Sequence, residues 1–467
     1  MTAHHGEPAR TCGRSAAVSA SRVTEEALNA LCIVFLCEQY PPVVWDGAGA
    51  YTHDVAQALA GLGHEVHVVC CQGWHRRDEL DGRVQVHRRP LLRVPISRLL
   101  GRYGHLVAGQ DYPRDSLALR LSLTVSYAWW LRRLGLTPDV VETQDGETRA
   151  LLIAWRHSVP LVIHLHTPTM LDVRLAGRLG WKGRLADRLD RISSDRADVL
   201  TSPSPLLVDT LRGVGWLVGR TPAVIPHPFD AAPWAGVAPV IGTRPVVLAV
   251  GRLEWHKGID VLLDAAAELA ADGTEVELVL AGSSSGHIAG RPAEKWFEQR
   301  ARELGLRCRF TGPVSRQQLL ELYAEARVLA LPSRFESFSI VALEAMAAGR
   351  PVVCTDRTGV APYIERSGAG SVVPTTDVRA LAAALQPFLE STAVAATAGA
   401  RAREAVAEFN PLVIARRRTT LYHTAIEAWR RQRTGNPRRV AWATGNLTRE
   451  PSLRHGEQEA PDGSTVD

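Results

Sequence analysis

Short runs of β-branched and aliphatic residues alternate with amphipathic helical patterns along almost the whole chain, and this constrains the fold more than any other feature. In the first half the runs fall at residues 31–37, 65–70, 84–87, 139–142, 161–164, 199–201 and 223–225. Helical patterns lie between them, for example at 50–62 and 117–134. The second half repeats the rhythm, with runs at 245–250, 276–281, 308–311, 328–331, 351–354 and 371–373. Helices are expected there at 259–271, 295–304, 316–324, 340–348 and 378–389. Runs this short and this uniformly apolar read as strands buried on both faces, as in a parallel sheet. Strands alternating with helices predict α/β layers.

The proline-rich stretch 226–244 separates the halves and reads as a linker. The fold class expected is therefore α/β, with two doubly wound, Rossmann-like parallel sheets facing a cleft. Ligands in such sheets bind beyond the carboxyl ends of the strands. The divisions expected are a disordered leader (1–30), a first domain (31–235), a second domain (236–410), a helix (411–432) that follows the last strand and can cross back to the first domain, and a disordered polar tail (433–467). The 467 residues alone suggest about three domains, but the two tails absorb the excess.

Composition excludes several classes. The balance of 54 basic and 49 acidic residues, net +5, is too mild for a nucleic-acid binder. No stretch approaches the ~20 apolar residues of a spanning helix. Seven scattered cysteines, without a Cys-x-x-Cys pair, read as reduced thiols of a cytosolic protein and suggest no zinc site. Only Lys182, Lys257 and Lys295 among the 54 basic residues are lysines, so a lysine at any given position is unexpected.

Four segments carry candidate chemistry. Glu38-Gln39-Tyr40-Pro41-Pro42 leads to Gly47-Ala48-Gly49, which opens a helix. A helix N-terminus suits a phosphate, although a tight strand-to-helix turn explains the glycines equally well. Thr52 stands where the dinucleotide fingerprint needs its third glycine, which counts against a nicotinamide enzyme. Gly251-Arg252-Leu253-Glu254-Trp255-His256-Lys257-Gly258 links a strand to a helix. Arg252 in fork geometry and Lys257 as a point charge can hold two phosphates. Glu336 and Glu344, eight positions apart, flank Ser337, Phe338 and Ser339. Glu344 sits in an apolar helix and needs a partner, either ribose hydroxyls or an arginine. His164-Leu165-His166-Thr167 ends a strand. His166 is the better cleft candidate, while a satisfied core histidine is the commoner role, and too few further ligands lie nearby in sequence for a metal.

Taken together these motifs resemble the family 4 retaining glycosyltransferases of the GT-B fold, over about residues 31–431. The resemblance implies the following roles. Arg252 and Lys257, with Gly251, would neutralise the leaving diphosphate. Glu344 would hold the ribose. Glu336 and the amides of Ser337, Phe338 and Ser339 would hold the donor sugar. His166 would contact that sugar near the reacting carbon, and Gly47 and Gly49 would approach the distal phosphate. The base would sit near Gly282 and Phe310. The resemblance also implies a nucleotide-sugar donor (UDP- or GDP-linked), a hydroxyl acceptor (a sugar, lipid-linked sugar or small metabolite), retention of configuration, no metal or other cofactor, and a place in polysaccharide or glycoconjugate biosynthesis. The sequence departs from the family pattern at Asp46-Gly47, at His227-Pro228 (expected to affect the hinge more than the chemistry) and at Gly282-Ser283-Ser284-Ser285-Gly286. A sugar-nucleotide 2-epimerase and a non-catalytic sugar-nucleotide binder are the competing readings. Arginine-aliphatic mixtures at 88–102 and 174–196 are compatible with peripheral contact at the inner face of a membrane, or with an ordinary solvated surface.

Overall fold

The computed structural model describes residues 30–434, apart from 39, 43–46, 72–75, 95–116, 169–170, 172–179, 239–243 and 285–286. The expectations for the leader, most of the tail, Asp46, Ser285-Gly286 and parts of the two arginine-rich stretches lie outside these residues.

The first sheet holds eight described strands: β1 (Cys32–Leu36), β2 (Glu65–Cys71), β3 (Arg77–Asp81), β4 (Val84–Arg89), β5 (Val140–Gln144), β6 (Leu161–His164), β7 (Val199–Ser202) and β8 (Ala223–Val224). Their order is β3-β4-β2-β1-β5-β6-β7-β8. All neighbours run parallel except β3 and β4, which form an antiparallel hairpin at the edge. The hairpin was not expected. β3 reads Arg-Asp-Glu-Leu-Asp, a charged segment with low β propensity, and its residues stay exposed or half-exposed, as an edge strand permits.

The second sheet is all parallel. It comprises β9 (Val246–Val250), β10 (Glu277–Ala281), β13 (Cys308–Gly312), β14 (Val328–Leu331), β15 (Val352–Thr355) and β16 (Gly370–Val373), in the order β13-β10-β9-β14-β15-β16. A two-residue hairpin, β11 (His287–Ile288) with β12 (Arg291–Pro292), stands apart. Helices at Ala361–Ser367 and Thr392–Ala405 add to those expected. Apolar clusters lie on both faces of each sheet, which is why the strands are nearly continuous hydrophobic runs.

Two segments connect the sheets. Phe229, Trp234 and Val237 pack in the core of the second sheet, and the Phe229 amide donates to the Phe409 carbonyl at 2.7 Å. The chain returns through the helix Pro411–Arg433. Asn410 caps that helix and Pro411 opens it, where the missing N–H costs nothing. Its apolar face, including Ile414, Leu421, Tyr422 and Ile426, packs on the helix Gly47–Gly61 and against β5, β6 and β7 of the first sheet. Where it crosses β5, buried Glu142 accepts two bonds from Arg418 at 2.8 Å and bonds from Tyr422 and Tyr51 at 2.6 and 2.8 Å. A buried carboxylate is tolerable when it is paired and fully hydrogen-bonded in this way.

Candidate functional site

The carboxyl ends of β9 and β14 open on a cavity of about 220 Å3. It is lined by Gly251, Arg252, Lys257, Ser333, Glu336 and Ser339 of the second sheet, with Gly47 from the first. Six of the candidate residues, drawn from three separate motifs, therefore share one cavity between the sheets.

Local structure explains the placement. After β9, Gly251 takes φ 141°, and its amide donates to the Ala281 carbonyl at 2.9 Å. Gly282 takes φ 142° beside it, and a Cβ there would lie 2.0 Å from the Gly251 carbonyl oxygen. Gly282 is therefore required by this backbone contact, and it is not among the residues lining the cavity. Residues Trp255–Lys257 form a 3-10 turn that closes on Gly258, whose φ is 67°. A Cβ at Gly258 would lie 2.0 Å from the Pro332 carbonyl oxygen, so the turn sits hard against the loop after β14.

Arg334 fastens these loops together. Its guanidinium forks onto Asp260 at 2.8 and 2.7 Å, donates to the Trp255 carbonyl at 2.7 Å and stacks 4.0 Å from the Trp255 ring centroid. Neither Arg334 nor Asp260 was singled out from the sequence. A signal existed, since Arg334 lies within the Glu336 motif. The clamp holds Lys257 at Glu336, where Nζ donates to Oε2. Arg252 is half-exposed and donates to Glu254 at 2.8 Å. The cavity therefore presents two cations, each met by a carboxylate, Lys257 by Glu336 and Arg252 by Glu254. An entering diphosphate could displace Glu336 as partner of Lys257.

Ser339 adopts φ 107°, a costly value for a residue with a Cβ, and its hydroxyl accepts from the Ala342 amide at 3.3 Å. This turns the first residues of the helix Ile340–Ala347 toward the cavity, which Ile340 and Val341 line. Glu344 lies four residues after Ile340, on the same helix face but outside the lining. Among the described residues its hydrogen-bond partner is a tyrosine rather than an arginine. The Tyr323 hydroxyl donates to Oε2 at 3.1 Å, and burial pushes the carboxyl up to about 7 against the pull of Tyr323 and Arg316.

Other expected residues stand elsewhere. The Phe338 side chain is core, packed on His227, Tyr363 and Phe409, so only its backbone remains for a ligand. The Ser337 carbonyl accepts the Ser204 hydroxyl at 2.6 Å, a contact between the two sheets. Phe310 packs partly into the second core, and Gly49 is buried in its helix.

His166 lies in a second constellation on the first sheet. Its ring meets Tyr51 edge-on at 4.7 Å, His164 at 4.7 Å and His227 at 4.9 Å. His164 stacks on Tyr51 at 4.4 Å, and its Nδ1 lies 2.6 Å from Thr201 Oγ1 and 3.1 Å from Arg418 Nη2. Burial, reinforced by the nearby Arg418 charge, lowers the proton affinity of all three rings, that of His166 to about 3. Two expectations need correction here. A third histidine does approach the His164–His166 pair, contrary to the expectation that further ligands were too few. His227 is also more than a hinge residue, because the loop after β8 delivers it into this cluster.

Comparison with known proteins gives concordant matches. Residues 236–405 match the family model described as glycosyl transferases group 1, and residues 46–227 match the glycosyl transferase 4-like domain. The alpha-D-kanosaminyltransferase of Streptomyces kanamyceticus is 36% identical over 336 residues, covering 66% of this chain and 81% of that protein. The glycogen synthase of Mycobacterium tuberculosis is 28% identical over 401 residues, covering 80% and 89%. Among solved structures, sucrose-phosphate synthase of Thermosynechococcus elongatus superposes with a TM-score of 0.68 at 24% identity, over 85% of this chain and all of that one.

Proposed function

The chain belongs to the family 4 glycosyltransferases of the GT-B fold, and from that premise we propose that it moves a sugar from a UDP- or GDP-linked donor to a hydroxyl acceptor with retention of configuration, without a metal in the transfer step. The observation that carries the reading is the shared cavity. Arg252, Lys257, Glu336 and the helix start at Ser339 converge there, with Gly47 across the cleft.

In this reading the diphosphate lies against Arg252 and Lys257. Negative charge grows on it as the glycosidic bond breaks, so cations already in place stabilise the transition state. Lys257 exchanges Glu336 for phosphate, and Glu336 is freed to accept from donor-sugar hydroxyls. The loop amides after Glu336 supply further donors. Glu344 holds the ribose hydroxyls from one helical turn behind the cavity, and the base rests near Gly282 and Phe310. His166 faces the sugar from the other sheet, where burial keeps its ring neutral. The acceptor hydroxyl attacks on the face the diphosphate leaves. Closure of the sheets excludes water, which would otherwise compete as acceptor.

The relatives are named for kanosaminyl transfer and for glycogen synthesis, which supports a sugar-bearing acceptor and a place in polysaccharide or glycoconjugate biosynthesis. A lipid-linked acceptor at the inner membrane face is supported by three exposed tryptophans, Trp129, Trp155 and Trp181, on helices Leu117–Arg133, Leu151–Arg156 and Trp181–Asp195, which contact one another. Arg196 lies over Trp155 and Lys182 over Trp181. No helix among the described residues is long and apolar enough to cross a membrane.

The test is a thermal-shift panel of UDP-, GDP-, dTDP- and ADP-sugars, followed by acceptor-dependent release of the nucleotide. A ligand that binds only the native state raises the melting temperature with occupancy. One base should stand out, and its sugar should transfer. Conversion of a UDP-sugar to its epimer without acceptor would instead establish the isomerase reading.

A further inference from the structure

His164, His166 and His227 each offer one ring nitrogen, and these atoms lie within 4.8 Å of one another. His164 Nε2, His166 Nε2 and both nitrogens of His227 are sealed from solvent and meet no hydrogen-bond partner among the described residues. Leaving a buried polar atom unpaired costs about 1–3 kcal/mol, so several such atoms facing one point call for a shared guest. Arg418, the charge beside His164, is offset by its two bonds to Glu142.

We propose that these three histidines form a binding site for one borderline transition-metal dication of the zinc class. An all-imidazole donor set selects such ions over magnesium or calcium, which prefer oxygen. Zinc–nitrogen bonds of about 2.0–2.1 Å place ligand nitrogens roughly 3.3–3.5 Å apart, so the rings draw together by little more than 1 Å. His227 lies on the segment joining the sheets. Metal on His164 Nε2 requires the ring proton on Nδ1, where Thr201 Oγ1 at 2.6 Å accepts it; Arg418 Nη2 then gives up its contact with Nδ1. The fourth position is left for water.

His227 also packs on Phe338 of the second sheet, 5.1 Å between ring centroids, so the site lies at the seam of the two sheets. Bound metal would capture the His166 ring and hold the seam in one arrangement. On the transferase reading, that makes the ion an inhibitor. The site itself does not depend on that reading.

The experiment titrates the full chain with Zn2+, and separately with Co2+, in the absence of any nucleotide sugar. One equivalent should bind, with the visible bands of a low-coordinate cobalt centre. His227→Asn and His166→Gln should each weaken binding at least about tenfold. Cys32→Ser should leave it unchanged, because Cys32, Glu65 and His67 form the other candidate cluster among the described residues. Wild-type binding no tighter than that of both histidine variants, or binding lost in Cys32→Ser, would overturn the proposal. Inhibition of sugar transfer by Zn2+, relieved by chelator in the wild type, reads out the functional consequence separately. A chain that binds zinc without transferring sugar would keep the site and refute only the transferase reading.

Discussion

Replacing Glu344 by glutamine should change how stability depends on pH, in a direction the structure dictates. Burial raises the carboxyl from its ordinary 4.5 to about 7, while the bond from Tyr323 and the charge of Arg316 act against that rise. Between these values the folded chain carries a proton that the unfolded chain has lost. Stability therefore falls as pH rises, by up to about 1.4 kcal/mol per unit for this one group. The contribution is fully present below pH 4.5 and gone above about 7. The total is on the order of 3 kcal/mol. Glutamine keeps the size of the side chain and cannot ionise. Denaturant unfolding of both forms from pH 4.5 to 8 isolates the effect, because every other titrating group, buried Asp145 included, is common to them. The glutamine variant should gain on the wild type steadily as pH rises, and the gain should level off above 7. Parallel pH profiles would refute the argument that Glu344 is held protonated by burial. If Glu344 holds the ribose as proposed, affinity for the nucleotide sugar, whose diphosphate diester does not titrate in this range, should rise through pH 7 in the wild type and stay flat in the variant.

The other structural claims can be checked in the same preparations. Gly258→Ala places a Cβ against the Pro332 carbonyl at positive φ and should cost about 2–5 kcal/mol in thermal or denaturant stability. Arg418→Met strands the buried Glu142 carboxylate and should cost about 3–5 kcal/mol, and adding Glu142→Leu should recover much of it, because the loss is uncompensated charge. Ser204→Ala removes both the bond to the Ser337 carbonyl between the sheets and the cap of the helix Pro205–Gly213, and should cost about 1–3 kcal/mol in a denaturant melt.

The contrast between the two sheets explains what the sequence made legible. Arg252, Lys257, Glu336 and Ser339 sit in loops directly after strands, so recognising the strand places the residue at the cleft. The Lys257–Glu336 pair joins residues 79 positions apart, yet each side was visible in its own motif. The first-sheet constellation could not be assembled that way. Arg418 reaches Glu142 across 276 positions and His164 across 254, and His227 arrives from a loop that reads as a hinge. Arg418 follows two further arginines in an arginine-rich helix, so nothing local marks it as buried. Phe338 was expected to act through its amide, and the place of its side chain was illegible for a related reason. Its neighbours Glu336 and Ser339 line the cavity, and only the tertiary packing shows that its ring turns the other way. The hairpin strand β3 stayed hidden because its charged residues are tolerable only at a sheet edge.

The central claim is that Arg252 and Lys257 hold the diphosphate of a nucleotide-linked donor. Calorimetric titration of the free nucleoside diphosphate, for the base chosen by the sugar panel, tests it directly. A charge-assisted hydrogen bond contributes about 1.5–3 kcal/mol, so Arg252→Ala and Lys257→Ala should each weaken binding at least tenfold. The unliganded melting temperature should stay close to that of the wild type. Affinities within twofold of wild type in both variants would contradict the account.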